Sequence, residues 1–152
     1  MIKNSLKKYY VIILIIFIIV IFFYDHLFLK EFKNSYKQDG LYTIGKIKEI
    51  KSYGRGTGFD YIYTFNLNGK RYKSVCDIGN LSYSDAQKKL DKNFLVIYLS
   101  NDVHNNRIYS NIPINDSINN DNELRKWIDS NSNIKSKIDS VPIPGFFWEN
   151  YF

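Results

Sequence analysis

The uncharged stretch YYVIILIIFIIVIFFY, residues 9–24, constrains this chain most because it contains no charge, glycine or proline. A helix of this length rises about 24 Å, slightly less than the roughly 30 Å hydrocarbon layer of a bilayer. Continuation to residue 29 makes it long enough to span. The stretch is apolar on every side, whereas a surface helix of a soluble domain is apolar on one side only. Residues 9–29 are therefore predicted to be a transmembrane helix, with the lipid bilayer as partner.

The flanking residues favour an uncleaved signal-anchor over a cleaved signal peptide. Residues 20–35, VIFFYDHLFLKEFKNS, lack the small residues that a signal peptidase site requires. Tyr9, Tyr10 and Tyr24 stand at the two ends of the stretch, where aromatic rings commonly mark the membrane interfaces. A cleaved signal peptide and a buried helix of a soluble domain are the alternatives.

The lysines on the two sides of the span are equal in number, so the orientation rests on their spacing. Lys3, Lys7 and Lys8 precede the span, and Lys30, Lys33 and Lys37 follow it. The first group is more compact and lies beside the α-amino group, and positive charge favours the cytoplasmic side. We predict a cytoplasmic N-terminus, residues 1–8, and a single-pass protein of the cell (inner) membrane whose C-terminal domain lies outside the cytoplasm.

Beyond the span, the pattern changes from helix to strand. Residues 30–40 are predicted to form a juxtamembrane helix or linker, and Phe28, Phe32 and Tyr36 share one stripe because they are four residues apart. Strands are predicted at residues 41–52 and 59–67, with a loop at 53–58 between them.

Asn68 and Gly69 predict a two-residue type I′ hairpin turn, because both residues tolerate positive φ. Such a turn fixes the register of the hairpin. The expected pairs are Phe65 with Tyr72, Tyr63 with Ser74, Tyr61 with Cys76, Thr64 with Lys73 and Ile62 with Val75.

The remaining elements complete a β-domain over residues 41–114. Ser84 and Gln87 have the spacing of a capping box and predict a short helix at 84–91. Apolar strands are predicted at 93–100 and 107–112, around a turn at 101–106. An acidic region, 115–152, contains a predicted helix near 121–130, with Leu124, Trp127 and Ile128 on one side, and ends in an aromatic tail.

The predicted fold class is an N-terminal transmembrane helix followed by a small mainly-β (α+β) domain. About five antiparallel strands are expected to form a curled sheet or partial barrel with one or two short helices.

The segments GLYTIGKI, YIYTFNLNGKRYK and KNFLVIYLSNDVHNNRIYSNIPI resemble small bacterial membrane-anchored β-domain proteins of uncharacterised function. The resemblance covers about residues 40–114 and departs at Val103 and His104, where such proteins often carry proline. It implies a fold and a membrane location, and it implies no reaction.

Cys76, His104 and Asp102 are the one combination of residue types suited to a thiol hydrolase. Cys76 is expected on the same face as Phe65 and Tyr72, where a thiol commonly acts as a small apolar side chain. The chain is therefore predicted not to be an enzyme, with a hydrolase that uses Cys76 and His104 as the alternative.

Other motifs give weaker indications of function. The glycines of GRGTG, at 54, 56 and 58, precede a predicted strand, whereas a phosphate-binding loop precedes a helix. Lysines at 46, 48, 51, 70 and 73 could contact an anionic lipid or polymer, but lysine is also common on solvated sheet surfaces. No nucleic-acid motif accompanies the basic charge. No cofactor or metal is expected.

The C-terminal segment VPIPGFFWENYF contains five aromatic residues near its end, namely Phe146, Phe147, Trp148, Tyr151 and Phe152. Apolar area of this size is seldom left free in solution, so these residues are candidates for contact with the domain, the membrane or a partner. The predicted function is a non-catalytic binding or structural role at the cell envelope, with an envelope protein or polymer as a further partner.

Overall fold

A computed structural model describes residues 2–54 and 58–142, with side chains from residue 9 onward. Helix α1 (Ile2–Asp39) is followed by strands β1 (Gly40–Tyr53), β2 (Gly58–Leu67) and β3 (Lys70–Asp77). Helix α2 (Tyr83–Gln87), strands β4 (Asn93–Leu99) and β5 (Asn106–Pro113), and helices α3 (Asp121–Ser130) and α4 (Ser132–Ile138) complete the order. The aromatic tail lies outside the described residues.

Helix α1 continues without interruption from the apolar stretch into the β-sheet. Among residues 9–24, every side chain except Ile21 is exposed, and the exposed apolar ones are 42% to 63% accessible. Near its C-terminal end the helix docks on the sheet, since Phe32 is 7% exposed and Tyr36 is 2% exposed. Two residues of the predicted aromatic stripe therefore attach the helix to the sheet, a contact that the sequence did not predict.

The helix passes directly into β1 at Gly40, where no side chain fits. A Cβ atom at this position would collide with the carbonyl oxygen of Tyr36 and with the side chain of Ile97. Glycine therefore lets the last turn of α1 pack closely against the sheet.

All five strands form one antiparallel sheet in the order β3-β2-β1-β4-β5. The expected curled sheet or partial barrel is wrong: the sheet is neither curled nor closed, and β3 and β5 are its edge strands. A barrel has one interior, whereas this sheet has an apolar cluster on each face. The interior strand β4 contributes to both clusters, because Leu95 and Ile97 lie on one face and Phe94 and Val96 on the other.

The two faces are covered by different helices. On the first face, Leu124 and Ile128 of α3 pack with Phe32 and Tyr36 of α1. On the second face, Ala86 of α2 packs with the strand residues Ile47, Tyr61, Tyr63, Phe65, Phe94, Val96 and Ile108.

The predicted hairpin is confirmed in both its turn and its register. Asn68 has φ of 51° and Gly69 has φ of 77°, as a type I′ turn requires. The five predicted pairs between β2 and β3 are all observed, including Phe65 with Tyr72 and Tyr61 with Cys76.

The helix predictions need two corrections. The expected helix at 84–91 is shorter and begins earlier, because Ser82 rather than Ser84 is its N-cap: the Ser82 hydroxyl oxygen accepts a 3.1 Å bond from the Asp85 amide. Predicted helix 121–130 is observed as α3, with Leu124 and Ile128 buried. Helix α4 was not predicted, so three short helices follow α1 within the described residues instead of one or two.

Candidate functional site: a cleft between the long helix and the β4–β5 turn

A cleft of about 770 Å³ lies between the C-terminal half of α1 and the turn that joins β4 to β5. Its two walls are therefore far apart in sequence. The lining residues are Tyr24, Leu27, Phe28, Glu31, Phe32 and Ser35 from α1, and Asp102, His104, Asn105 and Arg107 from the turn and the start of β5.

The α1 wall is one face of the helix, because its residues recur every three or four positions. This face begins at Tyr24, the last residue of the uncharged stretch, and extends about 16 Å to Ser35. The rings of Phe28 and Phe32 lie 6.2 Å apart between centroids. The cleft therefore starts where the apolar stretch ends, and it has an aromatic wall.

The opposite wall, the β4–β5 turn, is held by two tyrosine hydroxyls from different elements. Tyr36 of α1 donates to Oδ1 of Asn105 at 2.5 Å, and Tyr63 of β2 donates to Oδ1 of Asn106 at 2.5 Å. Asn106 is 2% exposed, and its Nδ2 donates to the carbonyl oxygens of Val103 at 2.9 Å and His104 at 3.0 Å. These buried and partly buried hydrogen bonds fix the turn against both the helix and the sheet.

Charged side chains of both signs line the cleft. Glu31 and Asp102 supply carboxylates, and Arg107 and His104 supply basic groups. The Arg107 guanidinium lies 5.0 Å from the centroid of Phe32, a cation–π distance, and its Nη1 donates to the Asn106 carbonyl oxygen at 2.8 Å. Such a wall can bind a ligand that carries both charges.

The structure places His104 and Asp102 together but gives Cys76 different surroundings. The backbone amide of His104 donates to Oδ1 of Asp102 at 3.2 Å, and the ring centroids of His104 and Tyr72 lie 6.0 Å apart with the rings nearly perpendicular. Cys76 lies four residues beyond Tyr72 on β3, about 13 Å along the strand, and packs in the cluster with Phe65 and Tyr61. In the described part of the chain, Cys76 and His104 form no hydrogen bond with each other.

The Cys76 thiol is also poorly suited to act as a nucleophile. Burial raises its pKa from an ordinary 9.0 to about 11, although the charge of Arg107 and the Ile108 backbone act in the opposite direction. A thiol with this pKa is almost entirely protonated at neutral pH, and the thiolate is the reactive form.

Three of the lysines singled out in the sequence make contacts in different places. Lys46 and Lys48 both approach Asp91, at 3.8 and 3.1 Å, and Lys70 lies 5.1 Å from the centroid of Tyr72. The glycine-containing loop precedes strand β2 as predicted, with its middle residues 55–57 outside the described residues. Within residues 2–54 and 58–142, no group of three or more His, Cys, Asp or Glu side chains could hold a metal ion.

Sequence reasoning identified His104 and Asp102 but missed Glu31 and Arg107. Glu31 follows directly from the aromatic stripe, because it lies on the same helix face as Phe28 and Phe32. No sequence pattern indicated that Arg107 would lie in the cleft, because its contact with α1 depends on the packing of residues that are distant in sequence.

These features define a class of protein: an exposed N-terminal apolar helix joined to an open five-stranded antiparallel sheet with short helices. The segment Tyr9–Asp39 is long and apolar enough to cross a membrane, as both an anchor and a signal sequence would be. Comparison of the chain with protein families, with curated proteins and with solved structures finds no match.

Proposed function

We propose that this chain is a single-pass membrane protein whose β-domain is a non-catalytic binding module at the cell envelope, outside the cytoplasm. The observation that carries the proposal is the continuity of α1. The same helix exposes apolar side chains from Tyr9 to Tyr24 and buries Phe32 and Tyr36 in the sheet domain. Exposed apolar area of this extent suits a lipid environment and not water.

The docking of α1 determines which end of the sheet would face the membrane. Gly40 at the start of β1 pairs with Leu99 at the end of β4, so the β4–β5 turn lies at the end of the sheet where α1 arrives. Asn68 and Gly69 lie at this end too, because β2 runs antiparallel to β1. We call this the proximal end of the sheet. The cleft lies at the proximal end and is the candidate binding surface.

A binding role agrees better with the site than catalysis does. Cys76 packs as an apolar residue with a raised thiol pKa, whereas the charged groups of the cleft surround an open space. The proposed partners are the bilayer, through residues 9–29, and an envelope protein or polymer. No cofactor or nucleic acid is part of the proposal.

A reporter fusion tests the proposed topology. Alkaline phosphatase, which is active only outside the cytoplasm, is fused after Ile114, and the matched control carries the same enzyme after residue 8. We expect high activity from the first fusion, low activity from the control, and retention of the chain in carbonate-washed membranes. Activity of a cytoplasm-dependent reporter at Ile114, with an inactive phosphatase there, would reject the proposed orientation.

A further inference from the structure

We propose that the cleft binds a zwitterionic phospholipid, one whose head group carries a phosphate and a primary ammonium. The inference rests on the proposed membrane anchoring, because the lipid is drawn from the bilayer that α1 crosses. It specifies which class of ligand the protein binds and where on the protein that ligand binds.

The position of the cleft along α1 is the first reason. If the predicted span, residues 9–29, lies in the hydrocarbon layer, Leu27 and Phe28 lie in the last helical turn inside its boundary. The head-group layer extends roughly 5 to 8 Å further, which corresponds to about five helical residues. Glu31 then lies among the head groups. A lipid beside the helix would thus place its glycerol and head group in the cleft.

The order of side chains in the cleft is the second reason. Its end nearest the apolar stretch is lined by Tyr24, Leu27 and Phe28, which suit the upper part of an acyl chain. Further along α1 the cleft carries Glu31, and the Arg107 guanidinium lies 5.0 Å from the Phe32 ring centroid. This gradient from apolar to charged matches a lipid that enters from the membrane.

The balance of charge selects among lipids. Arg107 and His104 can contact a phosphate, since a guanidinium donates well to phosphate oxygens. Glu31 and Asp102 can contact an ammonium, because carboxylates accept charge-assisted hydrogen bonds from it. A purely anionic head group would place its charge beside two carboxylates without any compensating cation of its own. A head group with both charges satisfies both sets of residues.

The size of the cleft is consistent with this ligand. A volume of about 770 Å³ lies within the range of roughly 300 to 1,000 Å³ that is usual for small-molecule sites. It accommodates a head group, a glycerol and the first carbons of the chains, while the rest of the lipid stays in the bilayer.

Native mass spectrometry of the full chain, purified in detergent, tests the proposal. Phosphatidylethanolamine and phosphatidylglycerol with identical acyl chains are titrated in parallel. We expect one retained phosphatidylethanolamine per chain and binding of phosphatidylglycerol at least tenfold weaker. Glu31→Gln removes a carboxylate from an exposed helix position. It should weaken phosphatidylethanolamine binding about tenfold, which corresponds to about 1.4 kcal/mol of binding free energy.

Glu49→Gln is the matched control, because Glu49 is an exposed carboxylate on β1 and does not line the cleft. It should bind phosphatidylethanolamine as the unchanged chain does. Equal binding of the two lipids, equal effects of the two substitutions, or retention of no lipid would each overturn the proposal. None of these outcomes alters the phosphatase and carbonate results, so failure of the lipid site is distinguishable from failure of the anchor.

Discussion

The hydroxyl of Tyr36 donates a 2.5 Å hydrogen bond to Oδ1 of Asn105, which joins α1 to the β4–β5 turn across 69 positions of sequence. Burial raises the pKa of Tyr36 above its ordinary value, so the hydroxyl remains a protonated donor at neutral pH. The bond connects the two walls of the cleft. It therefore links the docking of the helix to the shape of the candidate site.

Tyr36→Phe is expected to lower the free energy of unfolding by about 1 kcal/mol, because the aromatic ring stays and one partly buried hydrogen bond is lost. Denaturant titration of the detergent-solubilised chain, followed by circular dichroism, measures the change. Tyr83→Phe is the control, since Tyr83 is 45% exposed on α2, outside the cleft, and its removal should change little. Equal effects of the two substitutions would contradict a specific role for the Tyr36 hydroxyl.

Gly69→Val is expected to destabilise the chain on the order of 1 kcal/mol or more through backbone strain. Gly69 has φ of 77°, and a Cβ atom there would contact nothing within 4 Å, so a steric clash does not contribute. Gly69→Asn should cost much less, because asparagine tolerates positive φ. A melting temperature that stays the same with valine would show that the turn lies elsewhere.

Ser82→Ala and Ser84→Ala separate the observed N-cap of α2 from the one expected from sequence. The Ser82 side chain caps the helix through the Asp85 amide, so its loss should cost about 1 kcal/mol. Ser84→Ala lies inside the helix and should have a small effect of either sign. Thermal unfolding of the two variants compares their stabilities. A larger decrease in melting temperature for Ser84→Ala than for Ser82→Ala would contradict Ser82 as the N-cap.

Alkylation of Cys76 by iodoacetamide at pH 8 is expected to be about 100-fold slower in the folded chain than in urea. The thiol pKa rises from 9.0 to about 11, and the rate follows the thiolate fraction. Because the folded pKa is the higher one, the folded chain also loses stability as pH rises between these two values. Mass spectrometry measures the rate. Equal rates would indicate an accessible thiol with an ordinary pKa and would contradict its burial. A faster rate in the folded chain would indicate an activated thiol and would favour the hydrolase, which loss of activity in Cys76→Ala would then support.

Deletion of residues 145–152 tests the expected docking of the aromatic tail. Val141 is 5% exposed and packs in the cluster that contains Phe32, so the chain reaches the tail from the core of the first face. We expect a lower melting temperature, because aromatic rings that dock on the domain would contribute to its stability. An unchanged melting temperature with weaker membrane or partner binding would place the tail's contacts outside the domain.

The elements that sequence reasoning predicted correctly are those fixed by neighbouring residues. The Asn68–Gly69 turn determines the register of β2 and β3, and the four-residue spacing of Phe28, Phe32 and Tyr36 places them on one stripe of α1, two of whose residues are buried. Only side-chain geometry distinguishes Ser82 from Ser84, since both serines precede a suitable polar residue by three positions.

The order of the strands and the walls of the cleft depend on contacts that are distant in sequence. The continuous apolar run of β4 fits a strand buried on both faces, but it does not show what covers each face. Arg107 reaches the Phe32 ring only because α1 packs beside the turn. For this reason the open sheet and the charge of the cleft were not predicted.

Because α1 continues without interruption into the sheet, the apolar helix and the sheet domain form one rigid unit. A hydrophobic helix adjusts to bilayers of different thickness by tilting, and here no flexible joint lies between the apolar stretch and the buried Tyr36 to absorb the rotation. If α1 crosses a bilayer as proposed, a tilt of the helix would therefore turn the sheet by the same angle. The orientation of the domain above the membrane, and of any surface it presents, would then vary with the thickness of the bilayer that surrounds the helix.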